Sequence, residues 1–512
     1  MMGTSAQSPS SVVVLALVAS LVVLLAYRLA RLYRPESATS PRGWLEVDAQ
    51  ELGASGYGKL AWISALSLFL EMALIRWVSS EIRVFAYFKN FVLVACFLGF
   101  GLGCMLCRRR IHLNVMLAPL VLLTILLTVP TESSLHKLIA GLPALLGSGS
   151  EVHIWGVPAA PASWSGMLLA MLFVVPLFAE IALVFVPCGQ LVGWALENAK
   201  NGVTAYSVNV LASLAGIGAF TALGFLSQPP LVWVLVAGAL SMIVFWPNRR
   251  ARMMVGAVFL SCVVLLNIPD RKGRTAYWSP YQKLTLVDNT HVPGYLSYTL
   301  NTNDSWYQQV VNLTPEFVKA HPKEFAHSPI EWNAYNLPYR FYPAPPSVLV
   351  LGAGMGNDVA AALRNGASDV LAVEIDPLIL KLGQELHFEH PYQSPKTRVV
   401  VDDARSYMQN SHEQFDLIVF SLLDSHTTTS HFTNIRIDNY VYTREAMRQA
   451  RRLLRPDGLM IVKFQVETPW IAGRLHALLQ EVFGAVPVQF QTEPAFFDDR
   501  GTVFRGGVAA ED

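Results

Sequence analysis

The sequence predicts a chain in two parts, an N-terminal multi-span α-helical membrane bundle and a C-terminal α/β Rossmann-like domain preceded by a small antiparallel β-element. Three observations predict it. Hydrophobic residues make up 53% of the 512 positions and charged residues only 15%, against roughly 25% charged in soluble domains. Apolar runs close to the roughly 20 residues that a bilayer core requires recur as far as Ile268. Beyond them, Ser347 to Leu363 reads Ser-Val-Leu-Val-Leu-Gly-Ala-Gly-Met-Gly-Asn-Asp-Val-Ala-Ala-Ala-Leu, the pattern of a buried parallel strand, a tight glycine turn and an Ala-rich helix. The parts divide as 1–270 for the bundle, 271–340 for the β-rich element and 341–512 for the α/β domain.

The first apolar run, Val12 to Ala30, has no charged segment before it and is followed by Arg31 and Arg34, so it reads as an anchor rather than a cleaved signal. Further runs lie at about Leu60 to Val78, Phe91 to Leu106, Val115 to Val129, Met167 to Pro187, Ala205 to Leu226, Leu231 to Phe245 and Met253 to Ile268, making eight in all. Gly99 and Gly103, and Ala212 and Gly216, are small residues spaced four apart, which lets helix backbones approach closely. Glu71, Arg76 and Glu180 are charges inside these runs. They read either as an ion-pair network lining a substrate or headgroup cavity, or as a structural pair with Arg76 reaching the interface.

All five cysteines, Cys96, Cys104, Cys107, Cys188 and Cys262, lie in or beside the apolar runs without zinc-type partners, so no metal is expected and the Cys104-x-x-Cys107 pair reads as packing. A net charge of +1 with no dense basic run in the C-terminal half excludes a nucleic-acid footprint. Orientation is contradictory. With eight runs, the clusters Arg28/Arg31/Arg34, Arg108 to Arg110 and Arg249/Arg250/Arg252 fall on one side and put the C-terminal half outside by the positive-inside rule. A nucleotide-like cosubstrate made in the cytoplasm argues for a cytoplasmic catalytic half, which is the placement expected here.

After Pro269, alternating and β-branched residues from Tyr277 to about Leu313, broken at Pro293-Gly294 and Asn303-Asp304, predict the small antiparallel element. Strands are then expected at Val348 to Leu351, Val370 to Glu374, Arg398 to Val401, Leu417 to Phe420 and Leu459 to Phe464, with helices between them, a doubly wound parallel sheet.

In such a sheet ligands bind beyond the carboxyl ends of the strands. Gly352, Gly354 and Gly356 form the turn after the first strand, where a ligand must come close to the backbone. Glu374 and Asp376 follow the second strand, placed to accept ribose hydroxyls; Asp402 and Asp403 follow the third, placed to accept from an adenine amino group; Asp424 follows the fourth. A dinucleotide fingerprint would put glycine where Asn357 stands, so a nucleoside sulfonium fits better than a pyrophosphate. His426, in the polar run after Asp424, reads either as a general base or as a hydrogen-bonded loop histidine.

Val348 to Gly356, Val373-Glu374-Ile375-Asp376, Asp402-Asp403-Ala404-Arg405 and Phe415-Asp416-Leu417-Ile418-Val419 resemble spermidine synthase (polyamine aminopropyltransferase) and, more broadly, class I S-adenosylmethionine-dependent methyltransferases. Tyr281-Gln282 resembles the Tyr-Gln of the spermidine synthase N-terminal hairpin, and the apolar half resembles bacterial proteins that fuse membrane spans to such a domain. The resemblance implies that Gln282 and Glu374 contact the nucleoside, Asp403 its adenine, and that Asp424 faces an acceptor amine. It implies a transferase in the bacterial inner membrane using S-adenosylmethionine or decarboxylated S-adenosylmethionine, with aminopropyl transfer to a polyamine as one version. Methyl or aminocarboxypropyl transfer to a membrane-delivered acceptor is the second, and a non-catalytic nucleoside-binding transporter or sensor is the third. Expected partners are a small-molecule or lipid-borne acceptor and the lipid bilayer, and the reading is compatible with a homo-oligomer.

The chain departs from the family where Met355 stands for an Asp in the glycine motif, Ser421 for the Asp after the fourth strand, and Tyr335-Asn336-Leu337 for a Tyr-His-Glu. Each replacement removes a carboxylate that would face a cationic substrate.

Overall fold

The apolar runs fold as helices whose lengths sort them. The computed structural model describes residues 44–512 except 54–55, 83–84, 86–88, 131–132, 146–163, 269–272, 293–295, 304, 327–329, 424–439, 465–468, 492–501 and 508–512. Contacts divide the chain into two units that part at Lys272 and Gly273. The first unit contains α1 (Tyr57–Glu81), α2 (Lys89–Met105), α3 (Asn114–Leu127), α4 (Ser134–Leu145), α5 (Trp164–Glu197), α6 (Gly202–Phe225), α7 (Pro230–Val244) and α8 (Arg249–Leu266).

Among the described residues, three stretches, Tyr57–Glu81, Ala170–Glu197 and Gly202–Phe225, are long and apolar enough to cross a membrane. By contrast α3 and α7, at about 1.5 Å per residue, reach only about 21 to 23 Å, short of the roughly 30 Å of a hydrocarbon core. The Val12 to Ala30 run lies outside the described residues. Two features go beyond the sequence reading: the short helix α4, and a two-residue pairing of β1 (Glu46–Val47) with β2 (Ile111–His112).

Small residues set the closest helix contacts. A Cβ on Gly99 would lie 1.8 Å from the Ala182 carbonyl oxygen and one on Gly103 2.2 Å from that of Val186, so α2 and α5 touch backbone to backbone. Gly216 of α6 stands in the same relation to Ala65 of α1, at 2.3 Å. Glu71 and Glu180 are both buried within this unit, and the Arg76 guanidinium lies over the Trp233 ring at 5.2 Å.

The second unit opens with a four-stranded antiparallel sheet, β3 (Arg274–Trp278), β4 (Lys283–Asp288), β5 (Tyr298–Thr302) and β6 (Ser305–Val310), in sequential order. Two short helices follow, α9 (Pro315–Ala320) and α10 (Pro338–Phe341). The main sheet is built from β7 (Ser347–Leu351), β8 (Asp369–Glu374), β9 (Thr397–Val401), β10 (Phe415–Phe420), β11 (Leu454–Phe464), β12 (Val488–Gln491) and β13 (Thr502–Gly507). Its order is β12-β13-β11-β10-β7-β8-β9. The helices α11 (Asn357–Arg364), α12 (Pro377–Leu386), α13 (Ala404–Asn410), α14 (Arg444–Arg452) and α15 (Pro469–Phe483) complete the alternation.

The α/β sheet has strands alternating with helices, and it is not wholly parallel as expected. β13 enters between β11 and β12 and runs antiparallel to both. Neither β12 nor β13 is predicted, because a closing hairpin carries no strand-helix alternation to read. The Leu454-Arg455-Pro456-Asp457-Gly458 segment belongs to β11, with a register shift opposite Phe415 to Leu417.

The small sheet is joined to the main one by a core of its own. Leu284, Leu286, Leu300 and Val310 pack with Met355 of the glycine turn and with Ile379 and Leu382 of α12. Met355, fully buried here, is therefore part of the wall between the two sheets. Met355→Asp would place a carboxylate in that wall, and thermal unfolding of the second unit is expected to show a loss of about 3 kcal/mol or more. Met355→Leu keeps volume and polarity and is expected to cost under about 1.5 kcal/mol.

Candidate functional site

The glycine turn is held open by side chains from three other elements. Gly356 caps α11 at φ +110°, a left-handed conformation that glycine adopts without strain. Gly354, at φ +57°, has its N–H donated to Glu374 Oε2 at 2.7 Å and its carbonyl bonded by the Tyr392 hydroxyl at 2.7 Å. Met355 N–H donates to Gln308 Oε1 at 3.0 Å, and a Cβ on Gly354 would stand 2.6 Å from that same oxygen. Gly352 is covered by Leu423, whose Cδ2 would lie 2.0 Å from an added Cβ.

The acids stand at the carboxyl ends of neighbouring strands. Glu374 ends β8, is buried, and accepts from Asp376 N–H through Oε1 at 2.9 Å. Burial pushes its carboxyl up to about 7, against the opposing pull of the Asp376 and Gly354 amides. Asp376 caps α12, accepting from Leu378 N–H at 2.9 Å. Burial raises its pKa too, opposed by Ser279, by the helix amides and by Gln282. Asp402 and Asp403 follow β9; Asp403 caps α13 through Ser406 N–H at 2.9 Å, and Asp402 Oδ1 accepts from Asp403 N–H at 2.8 Å.

The turn between β3 and β4 reaches this row of acids. Ser279 Oγ accepts from the N–H groups of Tyr281 and Gln282 at 3.1 and 3.0 Å, which fixes the turn. Burial and then the charges of Asp376, Asp403, Asp402 and Glu374 push the Tyr281 phenol up. Gln282 and Tyr281 above, the glycines beside and the acids below make a pocket wall rich in acceptors. That acceptor set suits a ligand that offers hydroxyl and amino hydrogens, as a nucleoside does.

Of the residues predicted from sequence, Gln282, Gly352, Gly354, Gly356, Glu374, Asp376, Asp402 and Asp403 thus lie around one turn and the adjoining strand ends. Asp424 and His426 lie outside the described residues. Three contributors went unpredicted. Gln308 of β6 reaches the glycine turn from Tyr307-Gln308-Gln309, whereas Asn336 bonds the Ile330 carbonyl at 2.8 Å and accepts from Arg364 and Asn365. Tyr335, of the Tyr335-Asn336-Leu337 segment, comes to the same region, its hydroxyl accepting from Asn357 Nδ2 at 3.0 Å. Tyr392 comes from a turn with no motif. Lys463, a lone lysine in the apolar run Leu459 to Phe464, forms a buried ion pair with Asp358.

Residues 333–496 match the spermine/spermidine synthase domain family. The polyamine aminopropyltransferase of Korarchaeum cryptofilum is 24% identical over 160 residues, 30% of this chain and 47% of that protein. That of Nitrosomonas europaea is 27% identical over 194 residues, 36% of this chain and 54% of the relative. The chain spans about half the length of the curated relatives it matches. Among solved structures, the spermidine synthase from Thermotoga maritima covers 45% of this chain and 70% of its own at 14% identity and a TM-score of 0.32. Human methyltransferase-like protein 13, in complex with SAH, covers 39% and 84% at 18% identity and a TM-score of 0.28.

The raised Glu374 value gives a pH signature. A folded value of about 7 against an ordinary 4.5 means that the stabilisation from this protonated carboxyl is full below pH 4.5 and lost as pH rises through about 7. Hydroxyl donors prefer the ionised form, so nucleoside binding is expected to strengthen between pH 6 and 8, by up to about tenfold per unit below the pKa. Calorimetry across that range checks it, and Glu374→Gln should flatten the profile.

Proposed function

With a C-terminal unit that is spermidine synthase-like, we propose that the chain is a transferase using a sulfonium nucleoside, S-adenosylmethionine or its decarboxylated form, as cosubstrate. The observation that carries the reading is the Tyr281-Gln282 turn set above the acids of β8 and β9. Aminopropyl transfer to a polyamine is the first version, supported by the names of the relatives. The new bond joins the acceptor nitrogen to the carbon on sulfur, the carbon–sulfur bond breaks to leave a neutral thioether, and the acceptor's proton passes to a base. Asp424 and His426 are the proposed bases, and positioning supplies most of the remaining acceleration.

Methyl or aminocarboxypropyl transfer is the second version, favoured by Met355 in an apolar wall and by Ser421 at the end of β10. The first unit would hold the enzyme in an inner membrane, with the catalytic unit on the cytoplasmic side and the acceptor drawn from solution or from the lipid.

With full-length protein in nanodiscs, 5′-methylthioadenosine formed from decarboxylated S-adenosylmethionine and putrescine, with mass spectrometry of the amine as readout, would mark aminopropyl transfer. S-adenosylhomocysteine formed from S-adenosylmethionine would instead mark methyl transfer. Gln282→Ala is expected to raise KM for the cosubstrate about tenfold, as loss of one hydrogen bond to a charged network does. Nucleoside binding without any thioether product, whatever the acceptor, would leave only the non-catalytic reading.

A further inference from the structure

The acids that would take ribose and adenine stand at the ends of β8 and β9, on one side of β7 in the sheet order. A sulfonium nucleoside held there sends its sulfur across the glycine turn toward β10 and β11. The acid met there, Asp358, is paired with Lys463.

Phe420 pairs with Leu351 and with Val462, so Ser421 is flanked by Gly352 and Lys463 in one row at the carboxyl edge. Ser421 N–H donates to the Leu351 carbonyl at 3.1 Å, extending the ladder by one residue. Leu417 and Val419, like Leu459 and Ile461, belong to the core on one face of the sheet, and Ser421 and Lys463 continue that face. Ser421 is buried at 5% exposure, and its hydroxyl has no hydrogen-bond partner among the described residues. A buried hydroxyl left unpaired is a standing cost, and a ligand acceptor beside it would remove that cost.

Next to it, α11 begins at the turn with no side-chain cap. Its positive end would ordinarily be offset by Asp358 in the first turn. Instead Asp358 is engaged by Lys463, whose ammonium also lies 4.9 Å from the Tyr335 ring centroid. The lysine cancels the aspartate, and the helix end keeps its attraction for an anion. Met355, turned into the apolar wall, adds no charge.

We propose that the subsite for the sulfonium's tail is built for a carboxylate, so that the site takes S-adenosylmethionine itself in preference to the decarboxylated form. Ser421 donates to that carboxylate, and the Lys463–Asp358 pair keeps the end of α11 free to attract it. The proposal rests on the sulfonium-nucleoside reading above and names which member of that class the site selects.

Calorimetry of the full chain in detergent micelles with S-adenosylmethionine, decarboxylated S-adenosylmethionine and 5′-methylthioadenosine tests it. The carboxylated sulfonium is expected to bind about tenfold or more tighter than the decarboxylated one. Ser421→Asp should reverse that order. Ser421→Ala removes the donor without adding charge and should cut the preference about threefold or more while 5′-methylthioadenosine binds as before. Lys463→Met alone strands a buried Asp358 and can unfold the protein; the double variant Lys463→Met/Asp358→Leu removes both charges, leaves the end of α11 as free to attract an anion as before, and should keep the preference. Wild-type protein that binds 5′-methylthioadenosine but takes the decarboxylated sulfonium equally well or better overturns the proposal, as does full preference surviving in Ser421→Ala. Failure of all three ligands to bind would sink the nucleoside site itself.

Discussion

The C-terminal unit depends on how one turn satisfies its backbone. Gly354 spends its N–H on Glu374 and its carbonyl on Tyr392, and Met355 spends its N–H on Gln308. None of these partners is local in sequence, so the turn is a product of tertiary assembly: β8, β6 and the segment after α12 must all be in place before it is fully bonded. Asn357 extends the clasp, donating to the Gln309 carbonyl at 2.7 Å and accepting from Val311 N–H at 3.2 Å. The proposed binding surface and the docking surface are thus the same few residues, with the glycines on one side and the apolar wall around Met355 on the other.

The clasp gives the unit two buried titratable groups with opposite pH demands. Burial lowers His387 to about 3, from an ordinary 6.5. Its neutral form is the folded form, so its contribution is present above pH 6.5 and lost as pH falls toward 3. Glu374 works in the other sense, as its folded form prefers the proton up to about 7. Near neutrality the empty unit bears part of a cost that a nucleoside would relieve by giving the ionised carboxylate hydroxyl donors. Ligand and fold are coupled through that single carboxyl.

Much of this was legible. The five central strands follow from apolar runs, three of them closed by glycine or acid, since a parallel strand covered on both faces leaves little ambiguity in pattern. The acids at Glu374, Asp376, Asp402 and Asp403 were readable because strand ends in such a sheet share one edge. What could not be read was contact across long sequence separations. Gln308 lies 44 residues before Gly352, in a strand whose alternation says which face it occupies and nothing about what covers that face. Lys463 looked like an interruption of an apolar strand until Asp358 was found beside it. The spans show the limit of composition: α3 and α7 are apolar enough for a membrane and too short to cross one unaided.

The departures from the family pattern acquire a common cause at Met355. An acid at that position would need either solvent or a cation, and the wall formed by Leu284, Leu286, Val310, Ile379 and Leu382 offers neither. The exchange to methionine therefore trades a charge at the site for apolar contact between the sheets. The same contrast recurs one strand away, where Ser421 stands at the position to which the resemblance assigns a carboxylate, beside Lys463, whose own charge is already met by Asp358. Restoring an acid at 421 would set it against a neutral pair, whereas restoring one at 355 would bury it in hydrocarbon. The two positions are not equivalent routes back to a cation-binding pocket: the first is open to a single substitution, and the second requires the sheet interface to be rebuilt.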